Sequence, residues 1–406
     1  MHFSTSLAIS ALLEFAAAAT CPASGPPTYP KATERNNAFI PFINKFPLID
    51  STPSVTFTVK TKYNQTAVQV KSAGMDTGST GLMIGAGVLG FDEKTDFDKS
   101  QPGNEFLSSS NRLWQGYWIE ANITFPARND ELTASEEVVA SVPIMVVTEA
   151  SICKAWNKQG SCTEAQKSNI TMYPNDIHYM GVGFGRWSSE QPDAIPSKVT
   201  LINIVSIGGQ PVDDMHQGYI IGKDGVEVGL TSENTEGFCK TKLGLTPGSK
   251  AERDWYMVDM AISINDSPYD HGSALLDTGI AQSFIRVNKD VSSHVKNVTS
   301  KFIKTKPPPQ VAAKGTVVVV HIPNEKNPIA TYNVTAQGAG KPNPATMQPA
   351  GYILEEPTPS KPIYINTGRM FYNGFDVLYD SDCGWFGLAE LSETSAKRVK
   401  RATCPS

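Results

Sequence analysis

Charged residues are scarce in this sequence, and positive charge is not in excess. Lysine, arginine, aspartate and glutamate make up 18% of the 406 residues, with 35 Lys+Arg against 40 Asp+Glu and a formal net charge of −5. Average soluble proteins carry about 25% charged residues, and a chain without a basic field attracts phosphates weakly. Nucleic acid is therefore excluded as an expected partner.

The sequence also lacks the common signatures of metal and cofactor sites. It contains no Cys-x-x-Cys pair and no Gly-x-Ser-x-Gly motif, and its 6 histidines are scattered along the chain. The run from Gly85 to Gly90 matches Gly-x-Gly-x-x-Gly, but it leads into the polar residues 92–94 rather than into a helix, which the dinucleotide fingerprint requires. We therefore expect no metal and no cofactor.

Only one long, mainly apolar run is present, from Leu7 to Ala19. It is shorter than the ~20 residues that span a bilayer, and its last residues, Ala17-Ala18-Ala19, form the small-residue pattern typical of a signal-peptide cleavage site. The sequence thus predicts a signal peptide over residues 1–19, no membrane anchor, and a secreted monomer. A vacuolar location is the alternative.

The cysteines and glycosylation motifs fit this compartment. An even count of 6 cysteines suits an oxidising environment. Cys153 and Cys162 bracket a short polar loop and are predicted to pair, whereas sequence alone does not pair the other four, which are Cys21, Cys239, Cys383 and Cys404. Candidate N-glycosylation sites are Asn64, Asn122, Asn169, Asn265, Asn297 and Asn333.

The hydrophobic pattern predicts an almost all-β chain. Alternating apolar and polar residues begin at Ser54, β-branched stretches recur to residue 322, and long amphipathic helices are few. Residues 20–50 are rich in proline, which breaks helices and central strands. They form an N-terminal extension, which is either a short prosegment over an acidic cleft or a structural strand joining the main sheet.

One repeat carries chemistry: Asp76-Thr77-Gly78-Ser79 and Asp277-Thr278-Gly279-Ile280, whose aspartates lie 201 residues apart. At ordinary residue frequencies two such triplets occur by chance in only about a few chains per thousand. Two such loops meeting across a pseudo-two-fold axis would bring two carboxyls together, and like charges so close share one proton. The ionised carboxylate can then activate a water while the protonated one polarises a carbonyl.

These motifs resemble the pepsin-like aspartic protease family. Further similar stretches are residues 179–185, which resemble the segment supporting the first aspartate loop, and residues 367–389, which resemble the final strands. The resemblance implies a bilobal fold of two pseudo-symmetric β-lobes, at 51–215 and 216–395, with a cleft between them and a tail at 396–406. It also implies catalytic Asp76 and Asp277, the supporting loop residues Thr77, Gly78, Ser79, Thr278 and Gly279, and a protein or peptide substrate cleaved at acidic pH.

The sequence departs from that family at several positions, among them Met83, which stands where many members have Trp. Ile280 stands where the family has Ser or Thr, so Asp277 lacks one hydroxyl donor and is expected to hold its proton more firmly than Asp76. The usual flap motif is absent from residues 105–116, where Trp114 or the nearby Tyr117 either contacts the cleft or packs in the core. The alternative function is a weak or inactive protease-fold protein that binds a peptide or carbohydrate.

Overall fold

The fold was obtained as a computed structural model. It describes residues 21, 25–44, 46, 48, 50–107, 110–129, 132–156, 162–184, 195–212, 214–303, 307–338 and 346–391. The predicted signal peptide and tail lie outside the described residues. Within the described ranges, no helix has the length and apolar character needed to cross a membrane.

Strands dominate the first half of the chain. They are β1 (Ala38–Pro41), β2 (Ser54–Thr61), β3 (Val68–Asp76), β4 (Thr80–Gly85), β5 (Pro102–Leu107), β6 (Arg112–Asn129), β7 (Leu132–Cys153), β8 (Lys167–Met172), β9 (His178–Val182), β10 (Ile204–Ile207) and β11 (Gln210–Pro211). Short 3₁₀ turns cover Ala86–Leu89, Glu164–Gln166, Pro196–Lys198 and Thr200–Ile202.

The second half is built in the same way. Its strands are β12 (His216–Ile221), β13 (Gly225–Leu230), β14 (Cys239–Lys242), β15 (Val258–Ile264), β16 (Asp270–Leu275), β17 (Ser283–Arg286), β18 (Asn297–Thr299), β19 (Gln310–Ala312), β20 (Val317–Ile322), β21 (Ala330–Thr335), β22 (Tyr352–Glu355), β23 (Tyr364–Asn366), β24 (Phe375–Asp380) and β25 (Trp385–Glu390). The helix α1 (Lys289–Ser292) and a 3₁₀ turn at Arg369–Asn373 complete it.

The described strands form two sheets, and a matching three-strand unit occurs in each. In the first sheet β9 runs parallel to β3 and antiparallel to β4. In the second sheet β23 runs parallel to β16 and antiparallel to β17. Since β3 and β16 lead into the two Asp-Thr-Gly loops, the same framework carries each loop. The all-β fold class predicted from the sequence is confirmed.

Alternating sequence explains how these strands bury one face. In β2 and β20 every second side chain is buried, and β21 alternates strictly between buried and exposed positions. β4 is buried at all of its residues, because it lies between β7 and β9. Burial of apolar area at roughly 25 cal/mol per Å² is the main term that holds such sheets together.

The N-terminal residues contribute one strand, β1, to the first sheet. β1 pairs antiparallel with β13, so it joins strands from both halves of the chain. Tyr29 is buried beside Leu230 and Phe238, and a disulfide links Cys21 to Cys383. The predicted disulfide between Cys153 and Cys162 is confirmed. Cys239 is also disulfide-bonded, and Cys404 lies outside the described residues.

Candidate active site

Both Asp-Thr-Gly loops leave buried strands and meet at one place. Asp76 is the last residue of β3, and Asp277 follows two residues after the end of β16. The side chains of Met75 and Leu276, which precede the aspartates, are buried in the main core. Packing of these apolar neighbours therefore fixes where each carboxylate emerges.

The two threonines lock the loops to each other. The Thr77 N–H donates to Thr278 Oγ1 at 3.0 Å, and the Thr278 N–H donates to Thr77 Oγ1 at 2.9 Å. Each hydroxyl then donates to a main-chain carbonyl of the opposite loop, at Leu276 and Met75 respectively. Both threonines are fully buried, so these four hydrogen bonds lack competition from water and fix the spacing of the loops.

The aspartates lie side by side and are almost fully buried. Asp76 is 6% exposed and Asp277 is 5% exposed, and the two carboxyl groups are hydrogen-bonded to each other. One oxygen of each accepts the N–H of its own loop glycine: Gly78 donates to Asp76 Oδ1 at 2.6 Å, and Gly279 donates to Asp277 Oδ1 at 2.7 Å. The pair is a compact acidic centre held by backbone donors.

Close approach explains why both loops carry glycine. A Cβ atom on Gly78 would lie 2.7 Å from Asp277 Oδ2, and one on Gly279 would lie 2.4 Å from Asp76 Oδ1. Real Cβ atoms essentially never come within 3.0 Å of another heavy atom. Each glycine therefore packs directly against the aspartate of the other loop, and any side chain would push the two carboxylates apart.

The pair is electrostatically coupled. Burial raises the pKa of Asp277, and the neighbouring Asp76 carboxylate raises it further, whereas hydrogen bonds from Asn366 and Gly279 act in the opposite direction. Two close carboxyls in a dry site cannot both ionise cheaply. Asp277 therefore retains a proton over a range in which an ordinary aspartate is ionised.

The donors on the remaining oxygens differ between the loops. Ser79 Oγ donates to Asp76 Oδ2 at 3.1 Å, whereas Ile280, at the matching position, has no hydroxyl. Tyr179 on β9 also donates its hydroxyl to Asp76 Oδ2. Asn366 on β23 donates its Nδ2 to Asp277 Oδ2 at 2.6 Å.

Sequence analysis did not single out Tyr179, Asn366 or a third residue, Arg369. The signal available for the first two is a polar side chain two residues before a glycine, in Tyr179-Met180-Gly181 and Asn366-Thr367-Gly368. Arg369 is buried, and its guanidinium donates to the carbonyls of both Thr278 and Gly279. It thus places a cation beside the second loop.

The predicted flap region folds as a hairpin of β5 and β6. Trp114 is buried in a small cluster with Met83 and Trp118, and its ring meets the Tyr179 ring edge-on at 5.4 Å between centroids. Tyr117 packs against the main core and lies 6.1 Å from the Phe97 ring. Trp114 therefore contacts Tyr179, which in turn contacts Asp76.

The candidate glycosylation sites fall into two groups. The asparagines at 122, 169, 297 and 333 are exposed. In contrast, Asn64 Nδ2 donates to the Leu89 carbonyl at 2.9 Å, and Asn265 Nδ2 donates to the His294 carbonyl at 2.7 Å. The exposed four are the better acceptors, because their amides are accessible.

One cluster outside this site resembles a metal-binding group. His216, Asp380 and Cys383 place three possible ligand atoms within 4.8 Å of one another. However, Cys383 is bonded to Cys21 and so offers no thiolate. His216 Nε2 lies 2.7 Å from Asp380 Oδ1, and Tyr29 donates its hydroxyl to Asp380 Oδ2 at 3.1 Å. We assign this cluster to the packing of the N-terminal residues.

No protein-family model and no curated protein sequence matches the chain. Among solved structures, the chain is similar to an aspartic proteinase from Irpex lacteus, with 13% sequence identity and a TM-score of 0.45. That similarity covers 89% of this chain and 100% of the other.

Proposed function

We propose that this protein is an aspartic endopeptidase, which hydrolyses peptide bonds with water activated by Asp76 and Asp277. The observation that carries the proposal is the buried, mutually hydrogen-bonded pair of carboxyls, each with a glycine N–H donor from its own loop. Burying a carboxylate is costly unless it is hydrogen-bonded. When two carboxyls are buried side by side, ionising both is unfavourable, so the pair keeps one proton that it can transfer.

The reaction follows from the unequal members of the pair. Asp76 in its ionised form takes a proton from a water molecule, whose oxygen attacks the carbonyl carbon of the peptide. Asp277 in its protonated form donates to the carbonyl oxygen, giving a tetrahedral diol without a covalent enzyme intermediate. When the C–N bond breaks, the proton on Asp76 passes to the leaving nitrogen. One diol hydroxyl returns its proton to Asp277, so the pair regains its starting state.

Acidic operation is the expected regime. The mechanism requires one protonated carboxyl, and burial with the charge of Asp76 raises the pKa of Asp277. The activity should therefore persist until Asp277 ionises and decline beyond that pH. The disulfides Cys21–Cys383 and Cys153–Cys162 support an oxidising compartment, and we propose secretion as a glycosylated monomer.

The test is hydrolysis of an acid-denatured protein between pH 3 and 7, with and without a statine-type analogue of the tetrahedral diol. We expect cleavage at acidic pH that the analogue inhibits, and we expect Asp76→Asn to abolish it while leaving the melting temperature close to that of wild type. Turnover by Asp76→Asn at the wild-type rate would overturn the assignment of the dyad. Absence of cleavage by the folded protein would favour the alternative, a binding protein on the same fold.

A further inference from the structure

Tyr179 and Asn366 occupy equivalent positions in the two halves of the protein. Tyr179 lies on β9, parallel to β3, and it pairs with the residue two positions before Asp76. Asn366 lies on β23, parallel to β16, and it pairs with the residue two positions before Asp277. The repeated framework therefore delivers one polar side chain to each aspartate.

Each of these side chains donates a hydrogen bond to the Oδ2 atom of its own aspartate. Tyr179 donates to Asp76 Oδ2, and Asn366 donates to Asp277 Oδ2 at 2.6 Å. The Oδ1 atom of each aspartate is already occupied by a glycine N–H. Donors on both oxygens fix the rotation of a carboxylate about its Cβ–Cγ bond, because turning it would break both hydrogen bonds.

We propose that Tyr179 and Asn366 are a matched pair of positioning residues for the dyad, each supplying the donor to the Oδ2 atom of its own aspartate. This inference rests on the proposed function. In this proposal Asn366 is the side-chain donor to Asp277, in the same way that Ser79 and Tyr179 are the side-chain donors to Asp76.

The chemistry of the two donors fits this role. Burial raises the pKa of Tyr179 well above its ordinary value, and the charge of Asp76 adds to this effect, so the phenol keeps its proton and acts as a donor. The ring as a whole is half-buried, but its hydroxyl lies deep between Asp76 and Ser79. An amide has no titration of its own, so Asn366 donates at every pH.

Packing holds both donors in place. The Tyr179 ring rests edge-on against Trp114. Asn366 is buried, its Oδ1 accepts the Gly368 N–H at 2.9 Å, and its carbonyl accepts the Ser283 hydroxyl at 2.6 Å. Because the Gly368 contact orients the amide, its Nδ2 faces Asp277.

Other ionisable groups also act on this site. Arg369 faces both aspartates from the 3₁₀ turn after β23, Glu105 on β5 acts on Tyr179, and Tyr379 on β24 acts on Asp277. Asp50 also faces Arg369. All of these groups remain in the variants below, so a change in pH dependence reports the removed donor.

The first experiment compares Tyr179→Phe and Asn366→Leu with wild type in the full-length protein. We expect kcat to fall by about 10- to 100-fold in each, the usual effect of losing a hydrogen bond to a charged group, with KM changed by less than about threefold. Tyr179→Phe keeps the ring and its contact with Trp114. The matched control is Tyr269→Phe. Tyr269 is exposed and lies outside the site, so this variant should leave kcat unchanged.

The pH profile separates positioning from packing. Loss of the Asn366 amide removes an interaction that lowers the pKa of Asp277, so the upper limb should move to higher pH by about one unit. Adding Ile280→Ser to Asn366→Leu should restore a donor and return the upper limb toward wild type. Wild-type kcat and limbs in both single variants would overturn the proposal.

A direct titration separates this proposal from the proposed function. In protein labelled with 13C-aspartate, the carboxyl signal of Asp277 should titrate at higher pH in Asn366→Leu than in wild type, whether or not peptides are cleaved. A shifted titration in a protein without hydrolysis would uphold the donor role and reject the peptidase. Hydrolysis by wild type together with an unshifted titration in Asn366→Leu would reject the donor role alone.

Discussion

Replacing Gly279 by alanine should separate the two aspartates. A Cβ atom there would lie 2.4 Å from Asp76 Oδ1 and 2.6 Å from its Cγ, whereas ordinary contacts begin at 3.4 Å. The loop has little freedom to withdraw, because the Gly279 N–H is held by Asp277 and its carbonyl accepts from Arg369 and Thr52. The Asp76 carboxylate must therefore move by about 1 Å or rotate out of its hydrogen bonds.

A displacement of that size is large for a reacting group. A misplacement of about 1 Å costs about 100-fold in rate, and overpacking a tight site costs about 1–3 kcal/mol of stability. We therefore expect Gly279→Ala to lower kcat/KM by about 100-fold or more, to weaken binding of a diol analogue, and to lower the melting temperature. Gly78→Ala should act in the same direction, because its Cβ would lie 2.7 Å from Asp277 Oδ2.

The assay is cleavage of a peptide at acidic pH, with the active fraction determined by titration with the diol analogue and stability determined by thermal unfolding. Gly244→Ala is the matched control, since its Cβ would enter open space, and it should retain wild-type values. If Gly279→Ala kept both its kcat/KM within threefold and its melting temperature, the close approach of the loops would be wrong. Thermal unfolding tests the geometry even if no peptide is cleaved.

Three further predictions concern stability. Cys21→Ser should lower the free energy of unfolding by up to about 5 kcal/mol in denaturant titrations, because the lost disulfide closes a sequence separation of 362 residues; an unchanged midpoint would contradict this. Thr278→Val removes a hydroxyl that bonds Thr77 and Met75, and calorimetry should show a loss of about 1–3 kcal/mol, with no loss refuting the locking role. Burial raises the pKa of Asp277 in the folded protein. The contribution of Asp277 to stability is therefore fully present below its pKa in the unfolded chain, about 3.9, and it is lost as the pH rises through its pKa in the folded protein. Stability should thus fall from acid toward neutral pH, Asp277→Asn should fall less steeply, and equal slopes would count against this explanation.

Local sequence was enough to predict the all-β class and to single out the two aspartates. Alternation in β2 and the β-branched character of β20 reflect one buried face, which is a property of neighbouring residues. The Asp-Thr-Gly repeats are equally local, since each glycine donates to the aspartate two residues before it. Short-range signals of this kind survive in a single sequence.

Contacts that depend on strand register were not accessible in the same way. Tyr179 meets Asp76 only because β9 runs parallel to β3 in one register, and a shift by one residue would turn its side chain to the other face. The pairing of Cys21 with Cys383 depends on β1 and the residues before it returning to the second half of the chain. The four cysteines that the sequence leaves unassigned allow three connectivities, and only the fold selects one.

Ile280 is better explained as part of the dyad's asymmetry than as a defect. Asp76 Oδ2 accepts hydrogen bonds from Ser79 and Tyr179, whereas Asp277 Oδ2 accepts from Asn366. One fewer charge-assisted hydrogen bond is worth about 1.5–3 kcal/mol, which biases the shared proton toward Asp277 by roughly 10- to 100-fold.

This reasoning predicts the effect of restoring symmetry. Ile280→Ser in the otherwise unchanged protein should add a donor to ionised Asp277, lower its pKa and move the upper limb of the pH–activity profile to lower pH. Ile280→Val, which changes volume without adding a hydroxyl, is the control and should leave that limb in place. A shift of equal size in both variants would show that packing at position 280, rather than hydrogen bonding, sets the proton affinity of Asp277.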